Sequence, residues 1–424
     1  MNLNTGVSRK ESAIIDLTVE NTIELKSMRI ATSSSTDLNA TSAVQNIAKE
    51  IRSTISSPSL ILVYYTETQD VETIRQEFRI QFPNAYIVGC SSCRGTMTEK
   101  GYVGGHNLAA WAVQDEAGTY GTALCALSES SDVGKSAKHV LQRAIESSGR
   151  PGELPALIAL HATPGNEETI LRAIRTELGV NIPIIGGTAA DDGVSGNWSL
   201  FDSDSVTDCG IAMAVFFPSA RVSYSFHSGY APLGDSAVAT KVKGRTLLEL
   251  DNQPASKVYG QWFQNATGKP IDENDLFAQS TLFPLGRQTG EIHGMPYYTL
   301  SHPASVSDEG GINMFCNLGE GETVHFMSGT KEMLVSRAGR VVDSANEHER
   351  YTCDPIGGIA IYCAGCMLHV RESLEDVAAN MNRAMQTAPF ICPFTFGEQG
   401  QFLGGEIAHG NLMISAVLFH KDEL

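Results

Sequence analysis

From residue 42 to residue 217 amphipathic helices alternate with short apolar runs, and few folds accept that order. Ala43, Val44, Ile47, Ala48, Ile51 and Ile55 recur at helical spacing, which predicts a helix over 42–56 with one apolar stripe. Residues 59–65 (SLILVYY) are apolar without alternation, as in a strand covered on both faces. A helix over 70–82 and a strand over 85–88 follow, then strands near 107–114 and 120–126. The pattern continues with helix 135–148, strand 156–161, helix 166–178 and strand 183–185. Asn166 is placed to cap the fourth helix, with Glu167 and Glu168 where the helix dipole favours acid. A long apolar strand over 211–217 stops at Pro218, the expected domain boundary.

The second half is less regular. Strand-like alternation fills 221–250, a helix is predicted over 254–264, and a Gly- and Pro-rich region runs to about 322. Helix 330–346, strand 359–364 and an amphipathic helix carrying Val370, Leu374, Val377, Ala378, Met381 and Met385 come next, and strand 412–419 closes the chain. The expected architecture is α/β, a two-halved protein with mixed β-sheets flanked by helices. Its parts are an N-terminal extension 1–27 or residues upstream of a true start at Met28, a first domain 28–218 and a second domain 219–424. No short internal repeat is visible.

The formal net charge of −18 and the lack of any run of five basic residues argue against nucleic acid and anionic membranes as partners. No stretch approaches the ~18 apolar residues of a membrane helix. The first 27 residues lack the apolar block of a secretory signal, so a cytoplasmic protein is expected. On that ground the final Lys421-Asp422-Glu423-Leu424, which spells an ER-retention address, is read as coincidence. The Asn-X-Ser/Thr sites at Asn39, Asn197 and Asn265 are discounted with it. Nine cysteines in such a chain are expected to be reduced thiols, metal ligands or redox switches.

Two strand-terminal turns offer candidate ligand contacts. In Gly89-Cys90-Ser91-Ser92-Cys93-Arg94-Gly95, small residues let backbone approach a ligand and Arg94 can fork onto a carboxylate or haem propionate; the alternative is a plain turn with a surface Arg. In Gly186-Gly187-Thr188-Ala189-Ala190-Asp191-Asp192-Gly193 the spacing is not that of a dinucleotide loop, and Asp191 either takes an ammonium group or bonds its own turn. The pairs Cys90/Cys93 and Cys363/Cys366 are two CxxC motifs that make a zinc or thiol-switch site if they converge, and are small buried hydrophobes otherwise. No nucleophile elbow, P-loop, HExxH or kinase signature is present, so no enzyme is expected.

These segments together resemble the FIST family, sensory domains of intracellular signal transduction with an N-terminal and a C-terminal half. The likeness spans about 28–420. It is carried by GCSSCRG at 89–95, Pro164-Gly165-Asn166-Glu167-Glu168, GGTAADDG at 186–193, His227-Ser228-Gly229-Tyr230-Ala231-Pro232, LDNQPASKVY at 250–259 and the stretch from Phe396-Gly397-Glu398 to Phe419. It implies ligand binding, with Cys90, Ser91, Ser92, Arg94, Gly186, Gly187 and Asp191 as candidate contacts. Output is implied through a separately encoded histidine kinase, diguanylate cyclase or phosphodiesterase. GCSSCRG and Cys363-Ala364-Gly365-Cys366-Met367-Leu368 look like a haem-binding, nitric-oxide-sensing subset of the family, NosP. That likeness implies haem b. The axial candidates are His369, which directly precedes the amphipathic helix, then His227 and His409. The alternatives are an amino-acid sensor, with Arg94 on the carboxylate and Asp191 on the amine, and a zinc or thiol switch at Cys90, Cys93, Cys363 and Cys366.

Overall fold

The computed structural model describes residues 28–348 and 354–421. The expected extension 1–27 and the last three residues of the Lys-Asp-Glu-Leu ending lie outside the described residues. Within them, one order of elements occurs three times. The first repeat is β1 (Arg29–Ser35), α1 (Ala40–Thr54), β2 (Leu60–Tyr65), α2 (Val71–Gln81), β3 (Tyr86–Ser91), a hairpin of β4 (Gly95–Thr98) and β5 (Gly101–Gly104), and β6 (Leu108–Gln114). The second is β7 (Thr119–Ala126), α3 (Val133–Ser147), β8 (Leu157–Ala162), α4 (Glu167–Leu178), β9 (Ile184–Thr188), a hairpin of β10 (Leu200–Asp202) and β11 (Val206–Thr207), and β12 (Gly210–Phe217).

The third repeat opens on β13 (Arg221–His227) and is then interrupted by an insert. The insert holds β14 (Ala231–Lys243), β15 (Thr246–Leu250), β16 (Gln253–Pro254), α5 (Ala255–Thr267) and α6 (Leu276–Ser280). It ends with β17 (Leu285–Ile292), β18 (Met295–Ser301), β19 (Pro303–Val306), β20 (Ile312–Met314) and β21 (Thr323–Ser328). The repeat resumes with α7 (Lys331–His348), β22 (Pro355–Cys363), α8 (Ala364–His369), α9 (Leu374–Ala384) and β23 (Phe390–Thr395). A hairpin of β24 (Glu398–Gln401) and β25 (Ile407–Gly410) then leads into β26 (Ile414–His420).

In each repeat the fourth long strand lies between the first and second, giving β1-β6-β2-β3, β7-β12-β8-β9 and β13-β26-β22-β23. The second and third strands are parallel and joined by a helical crossover; the other pairs are antiparallel. Each hairpin leaves its own repeat. β4 pairs with β23, β10 with β3, and β24 with β9, so the three repeats are closed in a cycle. The turn at Pro218 separates β12 from β13, yet two of the three sheets contain strands from both sides of it.

The periodicity explains the layers. The three sheets turn one face each to a common core, where Trp111, Phe216 and Phe419, one from each sheet, meet with ring centroids 5.6–6.4 Å apart. The outer faces are covered by α1 and α2, by α3 and α4, and by α7 and α9. Strands buried on both faces need unbroken apolar runs, which is what 60–65 and 210–217 provide. The insert has its own small core around Tyr259, Trp262 and Phe326. Its Gly- and Pro-rich segment, read as irregular, forms four of the strands in that sheet. Asn166 does not cap α4 by its side chain; Glu167 instead accepts the Gly165 N–H at 3.0 Å.

His161 lies inside this assembly, with Nε2 3.0 Å from the Tyr64 hydroxyl and Nδ1 3.0 Å from the Gly187 carbonyl. Burial lowers its pKa from 6.5 to about 4, with the Gly187 bond opposing. The neutral ring therefore contributes stability that is complete above about 6.5 and is lost as pH falls through about 4. The urea midpoint should fall over that window, with ~3 kcal/mol as the upper scale for this one group. In His161→Gln the pH slope should be shallower; an identical slope removes His161 as its source.

Candidate functional site

The chain leaves the third strand of every repeat through a loop, and the three loops hold one another. Ala190 N–H donates to Ser91 O at 3.1 Å, Phe396 N–H to Thr188 O at 3.1 Å, and Cys93 N–H to Phe394 O at 3.0 Å. Ser91, Thr188 and Thr395 hold the same register position, opposite Tyr65, Ala162 and Cys363 of the neighbouring strands. The candidate ligand residues are largely consumed here. Ser92 Oγ accepts the Phe394 N–H at 2.9 Å and donates to Gly95 O at 2.7 Å, and Ser91 Oγ accepts the Ser199 N–H at 3.1 Å. A Cβ on Gly186 would stand 1.7 Å from Leu160 O, and one on Gly187 2.4 Å from Thr395. Both glycines therefore admit protein backbone and side chain rather than a ligand.

Asp191 is also spent. Its carboxylate accepts N–H groups from Gly193, Ser195, Gly196 and Asn197, which hold its pKa down against the upward push of burial. It fixes the turn and leaves no position for an amine. Arg94 is exposed, with φ 58° and its backbone N–H on Asp192 Oδ1 at 2.7 Å. Its guanidinium reaches the Asp192 carbonyl at 3.5 Å, so it closes this loop pair.

Beside the joined loops lies a cavity of about 170 Å³. Cys93 comes to it from the first repeat, Asp192 and Gly193 from the second, and Phe396 from the third. Cys363 and Gly365 line it at α8, and the insert adds Phe277, His302 and Phe315. His302 Nε2 donates to Phe277 O at 2.9 Å, and burial lowers the ring's pKa to about 4, so the wall is neutral there. His302 belongs to no motif legible in the sequence, where its nearest aromatic neighbours are Tyr297 and Tyr298.

The two CxxC pairs meet only in part. Cys93 and Cys363 share the cavity, whereas Cys90 packs into the central core with its Sγ on Ser91 O. Among the described residues no three His, Cys, Asp or Glu side chains are grouped to hold a metal ion. Burial pushes the Cys93 thiol up to about 12. Cys366 differs. Burial alone would raise it, but the Cys363 thiol, the Arg337 guanidinium and the Tyr230 hydroxyl, 3.7 Å away, together bring it to about 6. Arg337 is 1% exposed, lies over the Tyr230 and Tyr362 rings, and donates from Nη1 to Ser228 O and Leu412 O.

The candidate axial histidines are scattered. His227 is exposed and its Nδ1 accepts the Gly229 N–H at 2.8 Å; His369 is exposed at the end of α8. His409 is buried with Nε2 unpartnered, on a second cavity of about 360 Å³ that Arg172, Arg175, Arg287, Glu168 and Glu322 also line. Haem needs an axial nitrogen facing a pocket able to hold the macrocycle's apolar faces. The charged walls at His409 do not fit those faces. The 170 Å³ cavity is of the size that admits benzene (about 150 Å³) and does not fit a porphyrin.

The equivalent loops of the three repeats and the insert thus border one small cavity. The FIST N domain matches residues 59–253 and the FIST C domain residues 255–401. The chain belongs to the FIST family, sensory domains that bind small ligands and signal to partners. An uncharacterized protein, MJ1623, of Methanocaldococcus jannaschii is 26% identical over 237 residues, 53% of this chain and 45% of its own length. The cyanuric acid hydrolase of A. caulinodans aligns over 93% of this chain and all of its own, at 9% identity and a TM-score of 0.36. Among the described residues no helix is long and apolar enough to cross a membrane.

Protein purified from haem-replete cells is expected to show no Soret band and no stoichiometric haem. A Soret band that His409→Ala abolishes would restore the haem reading.

Proposed function

We propose that this protein senses a small amine with an apolar body, bound in the cavity between Cys93, Asp192, His302 and Cys363. The observation that supports this most is that one cavity is lined by the equivalent loop of all three repeats and by the insert. A ligand there touches Cys93 and Phe396, two of the three donors in the ring of loop hydrogen bonds. Binding that favours one arrangement of those loops shifts the whole cycle, which is what a reporter to a partner requires. Phe277, Phe315, Phe396 and His302 offer ring faces, and Asp192 offers the anionic edge for an ammonium group. Apolar amino acids are one subset of this class, with Asp192 in the role first given to Asp191. A separately encoded histidine kinase or cyclic-di-GMP enzyme as the partner belongs to this proposal on the family resemblance.

Isobutylamine, leucine and benzylamine should raise the thermal midpoint of the full chain, and benzoate should not. A ligand at ~100 times its Kd adds ~2.7 kcal/mol. Asp192→Asn should weaken amine binding about tenfold (~1.4 kcal/mol). Gly193→Leu, at an exposed position where a Cβ meets nothing nearer than Ser195 Oγ at 3.9 Å, should block it. No response to any amine, or equal responses in both variants, defeats the proposal.

A thiol switch is a second reading, favoured by Cys363 opening on the cavity with Cys366 behind it, whose pKa is brought down by the Cys363 thiol, Arg337 and Tyr230. Cys363 passes its proton to Cys366 and attacks a small disulfide entering the cavity, forming a mixed disulfide and releasing a thiolate that takes up that proton from Cys366. Cys366 then attacks the mixed disulfide, closes the Cys363–Cys366 bond and releases the second thiolate. Thiolate absorbance should titrate with a midpoint near 6 and vanish in Cys366→Ser. A midpoint at or above 8 removes this reading.

A further inference from the structure

We propose a second ligand site, for a small organic dianion, in the cavity where the insert meets the second repeat. Its volume of about 360 Å³ falls within the range of roughly 300–1,000 Å³ typical of small-molecule sites, and it shares no lining residue with the first cavity. One wall is α4, from which Arg172 and Arg175, three positions apart, project on one side. Opposite are Arg287 and Thr289 of β17 and Thr299 of β18, with His409 of β25 completing the enclosure.

What distinguishes this cavity is which polar groups are already satisfied. Both acids on its wall are engaged. Glu168 accepts from Arg245 at 2.9 Å and from the Asn317 N–H at 2.7 Å, and Glu322 accepts the Gly319 N–H at 2.9 Å. The donors are engaged less fully. Arg172 and Arg175 have no side-chain hydrogen bond or ion pair among the described residues, in a chain with 48 acidic and 30 basic side chains. Arg287 donates from Nη2 to Cys316 Sγ at 4.0 Å and has Nη1 3.7 Å from Glu322, which leaves its Nε without a partner.

His409 is 3% exposed, and its Nε2 is buried without a partner. Gln399 Nε2 reaches Thr188 Oγ1 at 3.2 Å and His409 Nδ1 at 3.2 Å, so Nδ1 accepts and the ring proton lies on Nε2. Three guanidinium groups therefore border a space whose acids are spoken for, with His409 in its wall. Guanidinium forks match carboxylate and phosphate oxygens. With Glu322 offsetting Arg287, Arg172 and Arg175 are the two cations with no carboxylate paired to them, and two negative charges match that pair; Arg245 with Glu167 and Glu168 keeps one net negative charge alongside. The enclosure and the chain's net charge of −18 favour a small dianion over a polyanion. Occupancy would also hold the insert to α4, alongside the contacts of Arg245 with Glu167 and Glu168 at 2.7 and 2.9 Å.

The test is calorimetric titration of the full chain at low ionic strength with succinate and, separately, inorganic phosphate. One dianion per chain is expected, with affinity falling as salt is added. Succinate alone binding identifies a dicarboxylate ligand, phosphate alone a phosphate ester, and either supports the site. Arg172→Gln/Arg175→Gln, at two exposed positions, should weaken binding at least about tenfold, and Arg287→Gln should do the same. Benzylamine titrated into the same samples reports the first cavity, so each proposal fails separately. Binding of neither probe, or binding unchanged in both variants, overturns this one.

Discussion

The third strand of each repeat ends its sheet, and an unpaired strand edge is a row of backbone donors and acceptors open to any other chain. Here every such edge is closed by a hairpin from another repeat: β4 on β23, β10 on β3, β24 on β9. Because the exchange is cyclic, no repeat completes its own sheet. The central core has the same character, since Trp111, Phe216 and Phe419 each come from a different sheet. Strand pairing and apolar burial thus both require all three repeats at once, and the loops that carry the hairpins are forced together at one end. The cavity follows from that convergence.

The same convergence explains why so many polar groups are buried near the loops. Ser91, Ser92, Thr188, Asp191 and Thr395 are at most 1% exposed, and an unpaired polar group at that depth costs ~1–3 kcal/mol. Ser91, Ser92 and Thr188 are satisfied by crossing segments, and Asp191 and Thr395 within their own loops, so their hydrogen bonds select the loop conformations. Arg337 and Cys366 lie deeper. A guanidinium without a carboxylate partner is costly to bury, and the Tyr230 and Tyr362 faces and two carbonyls offset part of that cost while Nε and Nη2 stay unpartnered.

The sheet strands and their covering helices were legible in the sequence because burial on both faces leaves an uninterrupted apolar run and a one-sided helix leaves a stripe. The hairpins were not. β10 and β11 have three and two residues, and their partners are remote in sequence, so no local period marks them. The threefold repeat is equally hidden, since equivalent positions are Tyr64, His161 and Tyr362 in one row and Cys90, Gly187 and Phe394 in the next. Backbone geometry recurs there while side-chain chemistry does not. GCSSCRG and GGTAADDG form loops beside the first cavity, but density of small and hydroxyl residues reports close backbone approach without saying whether protein or ligand approaches. The residues left facing space, Cys93 and Asp192, each stand beside the ones that drew attention. Arg337 did leave a trace, since it shares the face of Leu334, Ala338 and Val341, where a lone arginine must find buried partners.

The insert touches both cavities. Phe277, His302 and Phe315 line the first, while Arg287, Gln288, Thr289 and Thr299 line the second. Its sheet is continuous from β18 through β17, β21 and β14 to β15, so a displacement at one wall is carried by paired strands. It is held to the body from the Arg245 side by Glu167 and Glu168, and from the β18 side by Asn411, which accepts the His302 N–H at 3.2 Å. Between these attachments Tyr298 and Leu300 of β18 and Met327 of β21 enter the apolar cluster of the third repeat, and Tyr297 stacks on Phe402 at 4.6 Å. The body closes its core and edges on itself, and the insert joins it through that apolar patch, polar contacts and two cavities. A ligand in either cavity adds contacts between the insert and the body. By linkage it must then alter affinity at the other wherever the insert's position differs between the free and bound states.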